Sequence, residues 1–191
     1  MMSKVTENVL EFSFKEFGSN CYLIDKEIMI DASSIEAREE LVGDFKENNL
    51  KFENVKIVLL THLHYDHVGN LALFPKAKIY ASKKEIEDFK KNKMNFLRYQ
   101  DSRLTNELNK VKFFNIGEFK NKDFKIIEVP GHSRGSLAFL YKNILFSGDT
   151  IFARDGSSIG RTDLKTSVPE KMYESVKKLL NLRFDVLCPG H

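Results

Sequence analysis

The chain has 191 residues, 42% of them hydrophobic and 30% charged, with 30 basic against 27 acidic side chains and a formal net charge of +3. That length suits one domain with a sizeable core, and the composition is that of an ordinary globular protein rather than a disordered or fibrous one. The small basic excess is interleaved with acids, as in residues 83–93, which reads as a solvated helix face and argues against a nucleic-acid patch.

Residues 1–14 carry Lys4, Glu7 and Glu11 among their apolar residues and hold no signal-peptide core. No window approaches the ~18 apolar residues of a membrane span. The expectation is a cytoplasmic protein without a membrane partner, a single domain over residues 1–191. Cys21 and Cys188 give no disulfide framework and are read as buried strand residues.

In chain order, alternating or short apolar runs predict strands at 10–14, 21–24 and 28–30, with turns at Gly18-Ser19-Asn20 and Asp25-Lys26. Ser33 and Glu36 form a capping-box pattern ahead of a helix with Ile35, Leu41, Val42 and Phe45 on one face. Residues 55–60 make the strongest strand and run directly into Thr61-His62-Leu63-His64-Tyr65-Asp66-His67. A strand at 78–81 precedes a second box, Ser82 and Glu85, and a helix to about Lys91. Residues 92–110 are read as a partly exposed helical stretch containing Phe96, Leu97, Tyr99, Leu104 and Leu108. Strands follow at 124–129, 137–141 and 144–146, then a glycine- and serine-containing loop over 154–166. A third box, Ser167 and Glu170, opens a helix with Met172, Val176, Leu179 and Leu180 on one face, and a strand at 184–187 closes the series.

All five histidines, His62, His64, His67, His132 and His191, occupy candidate ligand positions. A lone histidine is usually a hydrogen-bonded or surface side chain. That reading would have to hold five times here, and would also have to explain three histidines and Asp66 within six residues. In an extended loop His62 and His64 share a face, and Asp66 and His67 reach a neighbouring position. Imidazole with carboxylate suits zinc, iron or manganese. The cluster contains no cysteine, unlike most closed structural zinc sites, and sites rich in His and Asp keep a position open for water. His132 in Pro130-Gly131-His132-Ser133, Asp149 in Ser147-Gly148-Asp149-Thr150 and His191 in Pro189-Gly190-His191 each follow a predicted strand on a small-residue turn.

These motifs resemble the metallo-β-lactamase superfamily along nearly the whole chain: Asn20-Cys21-Tyr22-Leu23-Ile24, the Thr-His-x-His-x-Asp-His-x-Gly pattern ending at Gly69, then Gly131-His132-Ser133, Gly148-Asp149 and Gly190-His191, in order. Ser158-Ile159-Gly160-Arg161-Thr162-Asp163 resembles a loop of the compact glyoxalase II-like (hydroxyacylglutathione hydrolase-like) members. The resemblance implies an α/β fold, a four-layer αββα sandwich with two facing mixed sheets and helices outside. It implies two divalent metal ions per chain, zinc first, with iron or manganese as alternatives. His62, His64 and His132 would hold one ion, Asp66, His67 and His191 the other, and Asp149 would bridge them. Asp66, Asp149 and Arg161 are the expected catalytic residues, with Arg161 as an anion anchor or as the partner of Asp163. Where relatives often have Asp-x-Gly, this chain has Asp31-Ala32-Ser33, with Asp31 a candidate partner for a histidine.

The implied activity is hydrolysis of a small-molecule S-2-hydroxyacyl thioester by a metal-bridging hydroxide. A thiolate leaves without a strong general acid, which fits a chain with no spare histidine. A mononuclear Fe(II) persulfide dioxygenase is the alternative, followed by a lactonase and an RNA-processing nuclease. Glyoxalase II proper adds a C-terminal helical domain that grips glutathione, so weak affinity for the tripeptide is expected of a chain ending at His191, as is a natural tail beyond it. The sequence leaves the oligomeric state open.

Overall fold

The structure, a computed structural model, describes residues 1–14, 18–97 and 102–191. Its larger sheet has seven strands in sequence order: β1 (Met2–Thr6), β2 (Val9–Phe12), β3 (Cys21–Ile24), β4 (Ile28–Ile30), β5 (Ile57–Leu59), β6 (Lys78–Ala81) and β7 (Phe113–Asn115). β1 to β4 pair antiparallel, and β4 to β7 pair parallel. The smaller sheet contains β8 (Phe124–Glu128), β9 (Leu137–Tyr141), β10 (Ile144–Gly148) and β11 (Val186–Pro189), in the order β11-β10-β9-β8. Its pairs are antiparallel except β10 with β11. Five helices accompany the sheets among the described residues: α1 (Arg38–Glu47), α2 (Tyr65–Val68), α3 (Lys83–Lys91), α4 (Ser102–Leu108) and α5 (Pro169–Leu180). None is long and apolar enough to cross a membrane.

The layers follow from the two-residue period of the strands. Tyr22, Ile24, Ile30, Leu59 and Tyr80 face one way and meet Leu137, Phe139, Ile144 and Phe146 of the other sheet in a shared core. The alternate residues Leu23, Met29, Val58 and Ile79 face the helix side, where Leu41 and Phe45 of α1, Phe89 of α3 and Leu104 and Leu108 of α4 cover them. On the far side Ile127, Ala138 and Leu145 pack with Leu179 of α5 and Phe184. The order is therefore helices, sheet, sheet, helix, as the resemblance implied. Phe45 stacks on Phe52 at 4.0 Å between ring centroids and on Phe12 at 5.2 Å. Phe12 and Phe45, both buried, each contribute roughly 1.5–3 kcal/mol by leaving water.

Several predicted boundaries shift. The strand expected at 55–60 spans 57–59, and the last strand lies at 186–189. β1, β7 and the short helix α2 were not anticipated. In the stretch expected to be helical from 92, a short 3-10 turn at Lys93–Asn95 precedes α4, and Tyr99 lies outside the described residues. Only the Ser82 box acts as a cap, its Oγ accepting the Glu85 N–H at 3.1 Å. α1 begins at Arg38 with no side-chain cap, and α5 begins at Pro169 behind Val168. In both cases the expected capping segment serves the site instead. Ser33 O accepts the Gly69 N–H at 2.7 Å, and Ser167 Oγ donates to the His132 carbonyl at 2.8 Å. Val42 and Leu180, expected on apolar faces, are 40% and 38% exposed.

Candidate metal centre

Every candidate ligand follows the carboxyl end of a strand. β5 leads to His62, His64, Asp66 and His67, β8 to His132, β10 to Asp149 and β11 to His191, while β4 delivers Asp31. β4 and β5 run parallel in one sheet, and β8, β10 and β11 point the same way in the other, so both sheets present their ligands along one edge. Asp66 and His67 lie within α2, whose turn puts them beside the preceding pair of histidines.

The seven predicted ligands come together. His62, His64 and His132 form one group, Asp66, His67 and His191 another, and His62, His67 and Asp149 a third between them, each with ligand atoms within 4.8 Å of one another. His64 Nδ1 lies 2.8 Å from His132 Nε2. Asp149 Oδ1 lies 3.3 Å from His67 Nε2, and Asp149 Oδ2 lies 3.4 Å from His132 Nε2 and 3.6 Å from His191 Nε2. Asp66 Oδ2 lies 3.4 Å from His191 Nε2. Glycine permits the closest approaches. A Cβ on Gly190 would stand 2.2 Å from Asp149 Oδ1, and Gly148, at φ +50°, turns β10 toward the site with no room for a side chain against Thr61.

Four histidines have their other nitrogen supported, and at His62, His67 and His132 the partner assigns the proton. Asp31 accepts from the Thr61 N–H at 2.8 Å and the Thr61 hydroxyl at 2.7 Å, and its Oδ2 lies 2.8 Å from His67 Nδ1. Since the Thr61 hydroxyl donates to Asp31, it accepts from His62 Nδ1 at 3.1 Å. His132 Nδ1 donates to the Arg161 carbonyl at 2.8 Å, and His64 Nε2 meets Thr166 Oγ1 at 2.7 Å. With Nδ1 engaged in each, Nε2 is the nitrogen that His62, His132 and His67 leave available to an ion. Asp31 holds this position at φ +55° and Ser33 at φ +53°, strained backbone for residues other than glycine, as often found beside functional sites.

The donor set fits divalent metal. His62 Nε2, His67 Nε2 and Asp149 Oδ1 are buried atoms with no hydrogen-bond partner among the described residues, an arrangement that is costly unless an ion satisfies it. Burial and neighbouring imidazoles hold His62 well below the usual histidine range and His64 at about 3, and burial lowers His132 as well, so this trio is neutral, as ligands must be. At His67 burial lowers the pKa, but the Asp31 and Asp149 carboxylates outweigh it and the net shift is upward. At Asp149 burial raises the pKa, and His67 with its neighbours drives it well below the carboxylate range.

The remaining predicted residue, Arg161, is placed differently from a free anchor. Its guanidinium forms two 2.8 Å hydrogen bonds to Asp163, and only its backbone carbonyl touches the histidine cluster. It lines an open cleft of about 770 Å³ with His64, Asp149 and His191 on the floor and Phe96, Leu97, Ile159 and Leu164 among the walls. Thr166 and Glu85 are contacts the sequence reading missed. Thr166 reaches His64 across 102 positions with no motif to mark it, and Glu85 was read only as half of a helix cap.

Residues 15–191 match the metallo-beta-lactamase superfamily domain, and the chain belongs to that superfamily. It is a metal-dependent hydrolase of that class. It is 32% identical over 171 residues to a probable metallo-hydrolase of Methanocaldococcus jannaschii, covering 86% of this chain and 70% of that one. It is 32% identical over 139 residues to a hydroxyacylglutathione hydrolase of Pectobacterium atrosepticum, covering 70% of this chain and 47% of the relative, so it aligns with about half of that protein's length. Among solved structures, a protein in a di-iron-bound form superposes with a TM-score of 0.72 at 24% identity, over 95% of this chain and 91% of the other, a likeness of fold.

Proposed function

We propose that this chain is a dinuclear metal-dependent thioesterase acting on small S-2-hydroxyacyl thioesters, with zinc as the first candidate metal. The observation that carries the proposal is the position of Asp149, whose carboxylate faces His67 on one oxygen and both His132 and His191 on the other. His62, His64 and His132 would hold one ion, Asp66, His67 and His191 the second, and Asp149 both. Bound there, two divalent ions supply an activated water at neutral pH and polarisation of the substrate carbonyl. The chain's own contribution is orientation and shielding. Asp31, Thr61 and the Arg161 carbonyl fix the imidazole planes and tautomers of His67, His62 and His132, and Thr166 holds the His64 ring in place. Phe96, Leu97, Ile159 and Leu164 give the cleft an apolar wall for the acyl group and limit the water beside it. All five histidines belong to the ligand groups, leaving none as a general acid, and a thiolate leaving group needs none. The similarity to hydroxyacylglutathione hydrolases supports the choice of thioester.

Protein purified without chelator and loaded with zinc, iron or manganese tests the proposal. The expected result is close to two ions per chain by elemental analysis, and loss of S-lactoylglutathione absorbance in the ultraviolet. Oxygen uptake with glutathione persulfide and no thioester loss, on the same sample, would overturn it. So would occupancy that stays at one ion with metal in excess.

A further inference from the structure

Glu85 is fully buried on the first turn of α3, with no part in the ligand set. Its Oε2 accepts the Leu63 N–H at 2.9 Å, and Leu63 is the residue between His62 and His64. Its Oε1 accepts the Ser133 hydroxyl at 2.7 Å and the Gly135 N–H at 3.0 Å, both in the turn that follows His132. We propose that Glu85 is a positioning residue of the metal centre, whose carboxylate clamps the peptide between His62 and His64 to the turn carrying His132 and so sets the spacing of the three-histidine group.

The chemistry of the clamp is specific. Three donors converge on it from two segments, and only a carboxylate offers acceptors on both oxygens. A glutamine would have to turn its NH2 toward the Leu63 N–H or the Gly135 N–H, leaving one peptide pushed away. Gly135 gives independent support for a built contact. A Cβ there would lie 2.4 Å from Ser82 Oγ and 2.7 Å from the Glu85 nitrogen, so the turn sits against the start of α3 more closely than any side chain allows.

Anchoring the helix does not require this acid. Phe89 is buried against Phe96 and Phe113, and Arg134 pairs with Asp88 at the surface. Burial pushes the Glu85 carboxyl above its usual range even as Ser133, Leu63 and Gly135 pull it back, so it is a costly anchor for a helix. What it adds is a fixed relation between the segments that present His62, His64 and His132.

The inference rests on the metal reading above and not on the choice of substrate. Zinc affinity by competition with a chromophoric chelator tests it, in the whole chain for both sites and in a His191→Ala background for the three-histidine site alone. Far-UV circular dichroism of the metal-free proteins checks the fold. Glu85→Gln is expected to weaken the three-histidine site by about 10- to 100-fold and the other site by less than about threefold. Ser133→Ala removes one donor and is expected to weaken the same site by a smaller factor; it decides the matter should the glutamine variant not fold. The inference is overturned if Ser133→Ala and a folded Glu85→Gln titrate like the wild type. It is equally overturned if the two sites weaken together in step with lost secondary structure, the behaviour of a mere helix anchor. A wild-type chain that takes up no zinc overturns this inference together with the metal reading.

Discussion

Asp149 is buried within 3.6 Å of nitrogens from His67, His132 and His191, and its negative charge is what divalent ions held among those nitrogens would require. Replacing it by asparagine keeps the shape and removes the charge. Asp149→Asn is expected to lower kcat/KM by about 100-fold or more, roughly 2.7 kcal/mol, and to lower metal content with it. Arg161→Ala is expected to cost less than about tenfold. Its guanidinium is engaged by the exposed Asp163, and its one contact with the histidine cluster, through the backbone carbonyl to His132, survives the substitution. Steady-state kinetics with metal content measured in parallel separates the two, and an Asp149→Asn enzyme with full metal and full rate would refute the bridging role. The residues proposed as ligands were legible because the chain has only five histidines, three of them lie with Asp66 within six residues, and His132, Asp149 and His191 each sit on a small-residue turn after a predicted strand. Of their supports, Asp31 was legible, and it stands 2.8 Å from His67 Nδ1, but Thr166 and Glu85 were not. Thr166 and Glu85 are ordinary residue types, and the contacts that give them meaning run between segments distant in sequence, Glu85 to Ser133 across 48 positions.

At the level of elements, the sequence offers three similar capping boxes, and packing decides which of them caps. Ser82 follows β6 directly and its hydroxyl reaches the Glu85 N–H, so the local signal and the tertiary position agree. At Ser33 they conflict. The segment after β4 is drawn into the site by the Ala32 N–H to His67 carbonyl bond at 2.8 Å and by Asn70 Nδ2 donating to the Ser34 carbonyl at 2.6 Å. The helix starts later, and Ser33 Oγ is left buried with no partner among the described residues. Ser82→Ala should therefore cost about 1 kcal/mol in urea unfolding, the typical value of a lost cap, whereas Ser33→Ala should change stability by less than about 0.5 kcal/mol. Equal losses from the two would mean that Ser33 does cap α1. The strands were easier to read than the helices for a related reason. Alternation in 137–141 reports two different neighbours, the other sheet and α5, and both are present in the fold. β7 escaped notice because Phe113 and Phe114, side by side, show no alternation over three residues.

Across the whole molecule, the proposed ligands connect the two sheets. His62, His64, Asp66 and His67 extend from the larger sheet and His132, Asp149 and His191 from the smaller, so ions held between them would tie both sheets together at one edge. The rest of the sandwich is joined by its shared core of Tyr22, Ile30, Leu59, Phe139 and Phe146, which needs no metal. Stripping the ions should thus loosen the edge and leave the fold standing. An ion that binds only the folded chain stabilises it by about 4 kcal/mol at a thousand times its dissociation constant, and a domain of this size shifts its Tm by roughly 2–4 °C per kcal/mol. Chelation should therefore lower Tm by about 8 °C or more. In the chelated protein, amide exchange should accelerate in 61–69, 130–135 and 190–191, while Leu23, Leu59 and Phe139 at the sheet centres stay protected. The local and global readings are separable. A lower Tm with uniform exchange would mean that the ions support the entire sandwich. No shift in Tm, with metal shown to have been present and removed, would mean that the two sheets hold their edge together without it, through contacts such as the Tyr22 hydroxyl and Asn20 N–H on the Pro189 and Gly190 carbonyls.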